Sequence, residues 1–151
     1  GVPAGVTIIP LRIEVEVGLP VGAADDNVVD ILVAVDQDKM NASSSGTSTT
    51  STVYNMNTLH SRQSACYART NYSATMTDPV LDLELAHVTK VFEFYSTVYI
   101  TWTHSTLLYE PESPPIINGP AMLIGYWGGT AAAKGFACVQ WLEYASSDFA
   151  G

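Results

Sequence analysis

Four aspartates are the first residues in this chain whose types and spacing could do chemistry. Asp25 and Asp26, followed by Asn27, and Asp36 and Asp38, separated by Gln37, stand at the two ends of one β-branched run. Carboxylates this close together offer hard oxygen ligands of the kind that hold Ca²⁺. No calcium-loop motif with its glycine and closing glutamate surrounds them. Asp and Asn also collect in turns, because their side chains bond nearby backbone. Turn formation is therefore the first expectation. A structural Ca²⁺ between subunits, held by Asp25, Asp26, Asp36 and Asp38, is the metal-binding alternative, and no other cofactor is expected.

The remaining chemistry-bearing residues form no recognisable centre. His60, His87 and His104 fit no metal spacing such as H-E-x-x-H. Serines and aspartates are plentiful, but no G-x-S-x-G elbow presents a nucleophile. No catalytic residue is assigned, and the chain is not expected to be an enzyme. The run Gly125-Tyr-Trp-Gly-Gly-Thr invites a phosphate-loop reading, which needs a helix N-terminus behind it, and none is expected there. Tyr95, Tyr99, Trp102, Tyr109, Tyr126, Trp127, Trp141 and Tyr144 could form a sugar-stacking platform. Aromatics alternating in strands more often anchor cores and interfaces. Asn41-Ala-Ser and Asn71-Tyr-Ser match the glycosylation acceptor pattern, making Asn41 and Asn71 candidate modification sites.

The elements that must position these residues are strands. Ile9, Leu11, Ile13, Val15 and Val17 alternate with Arg12, Glu14 and Glu16, the period-two pattern of a half-buried antiparallel strand. Residues 28–35 form a nearly unbroken β-branched run and predict a strand covered on both faces. Residues 41–52 are mostly Ser and Thr and predict an exposed loop or projection. Weaker strands are predicted over 53–59 and 65–76. Leu81, Leu83 and Leu85 favour extended chain over a short helix at 80–86, and residues 87–95 continue it. Val98, Ile100 and Trp102 predict a further strand. The Pro-rich segment from Tyr109 cannot continue a ladder. Residues 121–127 and 135–144 predict two apolar terminal strands around a small-residue loop. About eight strands in one domain, residues 1–151, predict an all-β, eight-stranded antiparallel β-sandwich of jelly-roll type.

Composition narrows the partners. The chain has 151 residues, 47% hydrophobic and only 14% charged, against a usual charged share of about 25%. A surface so poor in charge predicts cover by a partner subunit. No apolar run approaches the ~18 residues of a membrane helix, so no membrane contact is expected. Six basic residues, scattered along the chain, and fifteen acidic ones give a net charge of −9, a poor match for nucleic acid. The two cysteines, Cys66 and Cys138, are expected as buried free thiols, an inter-strand disulfide being the other arrangement open to them. The sequence opens at Gly1 rather than Met, and a processed product or a portion of a longer one is expected.

The order of elements resembles the single jelly-roll coat protein of small icosahedral viruses. Residues 7–17 and 28–35 correspond to its first two strands, and 41–52 to the connection that follows. Residues 109–118 resemble its long connection before the last pair, and 121–127 and 135–144 resemble that pair. The small-residue loop 128–135 ahead of Val139-Gln-Trp-Leu-Glu-Tyr144 is similar to the endings of many plant- and insect-virus shell domains. The resemblance implies a capsid subunit, located in the virion, that self-assembles with copies of itself and with other capsid chains. Tyr109, Glu110, Tyr126, Trp127, Lys134 and Phe136 are the candidate subunit contacts. Such proteins carry a basic genome-binding arm, whereas Gly1-Val-Pro-Ala-Gly-Val is uncharged, so genome contact is not expected through this acidic segment. The alternative is an extracellular β-sandwich binding module, or a capsid projection domain, recognising a glycan or receptor.

Overall fold

A computed structural model describes residues 1–19, 27–37, 48–59, 62–71, 81–92, 103–129 and 134–149. Within them the chain is all-β, with nine strands and one 3₁₀ turn. In order these are β1 (Val6–Leu19), β2 (Asn27–Gln37), β3 (Ser48–Ser51), β4 (Ala68–Asn71), β5 (Leu83–Phe92), β6 (Thr103–Tyr109), β7 (Ile117–Asn118), β8 (Ala121–Gly129) and β9 (Lys134–Ala145). The 3₁₀ turn, η1 (Ser146–Phe149), closes the last strand.

Two antiparallel sheets make a β-sandwich. The front sheet has the order β5-β2-β8. In the back sheet β1 is central, with β9 along one edge and β6 and β7 in succession along the other. The connections β1 to β2, β5 to β6 and β8 to β9 each pass from one sheet to the other. The small β3-β4 ladder forms a third, separate sheet.

The core lies between the sheets. Ile13, Val15, Val17 and Leu107 of the back sheet meet Val29, Ile31 and Val33 of the front sheet, all essentially inaccessible to solvent. A second cluster joins Val2, Ile8, Val35, Cys66, Ile117 and Ala121. Burying each large aliphatic side chain contributes about 1.5–3 kcal/mol before chain entropy is charged against it. β-Branched side chains fit the pleated surface, which is why β1 and β2 occupy the two sheet centres.

The alternation of β1 changes phase once. Its ladder with β9 is irregular between Pro10 and Arg12, so Leu11 is an extra residue. Pro10 has no N–H to donate, which suits a break in the ladder. Ile8 and Pro10 point inward before the bulge and Ile13, Val15 and Val17 after it, while Ile9 is half-buried and Leu11 exposed. The predicted inward run from Ile9 is therefore corrected to begin at Ile13.

Other expectations also change. β2 is covered on both faces only near Ala34 and Asp36, and its outer face is open at Asp30. Residues 53–59 do not form a strand: the Asn57 amide donates to Asn55 Oδ1 (2.8 Å) and the Leu59 amide to Asn57 Oδ1 (3.2 Å). Side-chain caps of this kind take amides away from a ladder. Part of the Ser/Thr-rich stretch, Ser48–Ser51, pairs with β4 instead of remaining a loop. Leu83–Phe92 is one continuous strand with no helix in it. Cys66 and Cys138 are both free, but only Cys66 is buried. The strand predicted around Val98, Ile100 and Trp102 lies outside the described residues.

Candidate functional site

The β2-β5 ladder places Thr89 opposite Asp30 and His87 opposite Leu32 on the outer face of the front sheet. Asp30 Oδ1 accepts hydrogen bonds from Thr89 Oγ1 (2.6 Å) and His87 Nε2 (2.7 Å). His87 Nδ1 faces Glu84 Oε1 at 4.0 Å. The hydroxyl of Thr89, then the imidazole, hold the Asp30 carboxyl below its ordinary range. Hydroxyl and imidazole thus donate to the same carboxylate oxygen. In a catalytic triad the imidazole would instead stand between carboxylate and hydroxyl. This cluster is wired to fix a carboxylate in place, not to relay a proton to a nucleophile.

On the opposite flank of β2, Tyr126 pairs with Leu32 and Gly128 with Asp30. Tyr126 and the His87-Asp30-Thr89 cluster therefore share one face, in adjacent rows. All four side chains reach solvent, with Tyr126 52% exposed.

A second polar cluster ties β9 to residues 64–66. Glu143 accepts hydrogen bonds from Ser64 Oγ and from the Ala65 amide (3.0 Å). Burial alone would raise the Glu143 carboxyl, but these bonds outweigh it and hold it below the usual range. Burial first, then the Glu143 charge, push the nearby Cys66 thiol up to about 11.

The six candidate contact residues do not share a surface. Tyr109 and Trp127 turn inward and pack on the core, and burial raises the Tyr109 phenol. Glu110 is paired with Arg12 (3.1 Å), which also reaches Glu14 (3.1 Å). Tyr126 lies on the front sheet. Lys134 and Phe136 open β9 opposite Gly18 and Glu16, on the outer face of the back sheet. Gly125 and Gly128 both sit within β8, which runs past the predicted strand end at residue 127.

Of the four aspartates, Asp36 lies inside β2 opposite Met122 and is fully buried. Asp25, Asp26 and Asp38 lie outside the described residues, as does Asn41. Asn71 is the last residue of β4 and pairs with Ser48. Among the described residues, no three His, Cys, Asp or Glu side chains form a metal-holding group. The Asp30-His87 and Ser64-Glu143 pairings join residues 57 and 79 positions apart. The β2-β5 register brings the first pair together, and the packing of residues 64–66 on β9 the second.

Comparison with protein families, with curated proteins and with solved structures found no match for this chain.

Proposed function

We propose that this chain is a structural subunit of a viral capsid, built as a jelly roll and assembling through lateral contacts between identical copies. The observation that carries the reading is the first half of β9. Every residue from Lys134 to Cys138 is exposed, including the apolar Phe136 at 53%. Among the described residues β9 has a ladder partner on one side only, β1. An edge strand with exposed apolar side chains is a template for further association, and burial against a neighbouring copy relieves it. The low charge of the chain supports the same reading.

In this account Phe136 and Lys134 form the lateral contact, while Tyr109 and Trp127 stiffen the subunit from within. Other capsid chains, or a basic segment, supply the genome-facing charge that this acidic chain lacks, and its place is the virion. Replacing Phe136 with Ser removes about 2 kcal/mol of burial per contact, or roughly a 30-fold weaker association. Light scattering on the variant is expected to show loss of assembly with the melting temperature unchanged. Normal assembly by the Phe136→Ser variant would remove β9 from the contact.

A further inference from the structure

The outer face of the front sheet carries an arrangement that assembly through β9 does not use. A β-carbon built on Gly128 would come within 2.5 Å of the Tyr126 hydroxyl oxygen and 3.0 Å of Cζ. The phenol ring therefore lies down along its own strand, over the glycine, with its hydroxyl end directed to the row of Asp30. Tyr126 is 52% exposed, so one face of its ring is open for a ligand to stack on in this proposal. Beside that face stands the Asp30 carboxylate, fixed by Thr89 and His87, with Glu84 behind the imidazole.

We propose that Tyr126, Asp30 and His87 form a binding site for a neutral pyranose sugar. A sugar ring has one face of C–H groups and a rim of hydroxyls. The C–H face stacks on the Tyr126 ring, the arrangement in which an aromatic contributes both area and orientation. The hydroxyl rim donates to the Asp30 carboxylate, and a few well-placed polar groups are what orient a ligand in such a site. Gly128 is the specificity-determining backbone position, because any side chain there lifts the ring off the sheet.

The local charges disfavour an anionic ligand. An anionic sugar would meet Asp30 and Glu84 on a chain of net charge −9. The site belongs to the front sheet and the proposed lateral contact to the edge of the back sheet, so the two readings stand or fall separately.

The test is saturation-transfer-difference NMR on the intact chain. The probes are the methyl glycosides of glucose, galactose, mannose and N-acetylglucosamine, with N-acetylneuraminic acid as the anionic comparison. Transfer from the protein into the protons on one face of a neutral glycoside is expected, with none into the acid. Tyr126→Ala abolishes the transfer, and Tyr126→Phe keeps it. Gly128→Ala weakens binding about tenfold by displacing the ring, and Asp30→Asn weakens it without touching the aromatic face. Melting curves of the exposed-site variants Tyr126→Ala and Tyr126→Phe are expected to match that of the parent. The proposal is overturned if no neutral glycoside receives transfer, if the acid receives the most, or if Tyr126→Ala binds like the parent chain.

Discussion

Glu143 ties two parts of this fold together through its ionised carboxylate. It accepts from Ser64 and from the Ala65 amide, and so holds residues 64–66 against the back sheet, where Cys66 enters the second core cluster. Because the folded carboxyl lies below its usual 4.5, the stabilisation is complete above that value. It is lost as pH falls through the lower folded value. Asp30 is shifted in the same direction. Melting temperature is therefore expected to fall on acidification below about pH 4.5, the unfolded reference. Glu143→Gln should cost about 1 kcal/mol at neutral pH and flatten the acid loss. An unchanged melting curve and an unchanged acid slope in that variant would contradict the assignment. The cysteines give a second residue-scale check. Cys66 is buried with its thiol raised to about 11, whereas Cys138 is exposed on β9. A thiol reagent at mildly alkaline pH should label Cys138 rapidly and Cys66 only after denaturant is added, as read by mass spectrometry of the labelled peptides.

At the scale of elements, the fit of β9 against β1 is governed by Gly135. A β-carbon there would run into the Glu16 carbonyl oxygen and come within 3.2 Å of Val17 Cα. Both are backbone of the central strand and cannot swing aside. Gly135→Ala is expected to cost about 2 kcal/mol in urea unfolding, against less than about 0.5 for Ala137→Ser two residues on. Equal stability of the two variants would mean that β9 does not pack as described. The strands that the sequence reveals best, β1, β2, β8 and β9, are those whose apolar residues alternate or form β-branched runs. What it conceals is set by single residues with a local choice. Pro10 and Leu11 reset the inward face of β1, and a period-two reading passes straight through them. Asn55 and Asn57 turn their own backbone and so cancel a strand that Tyr54 and Met56 suggest by composition. Thr49 and Thr50, read as loop, have the β-branched shape that a ladder accepts. β6 alternates Ser105 and Leu107 inward with His104, Thr106 and Leu108 outward, a period-two pattern whose apolar signal Ser, Thr and His dilute. The pairing of Asp30 with His87 and Thr89 depends on the β2-β5 register, which includes its own irregularity between Val33 and Ala34. No spacing in the sequence encodes it.

At the scale of the whole molecule, the two outer faces differ in kind. The front sheet is closed by Ala34, Asp36, Met122 and Ile124 at one end and open at Asp30 and Tyr126 at the other. The back sheet sets Glu14 and Glu16 beside the exposed Phe136 and Leu108, with its edge strand β9 paired only to β1 among the described residues. A sandwich with one apolar edge is suited to repeat by symmetry, and its second face remains available outside that repeat. Copies of this chain are proposed to assemble through β9. The most direct measurement is multi-angle light scattering of the purified chain, with negative-stain electron microscopy of the same sample. Closed particles of uniform diameter and a mass many times the 16.2 kDa of one chain are expected. A monodisperse species of one-chain mass, unchanged across concentration and salt, would contradict it.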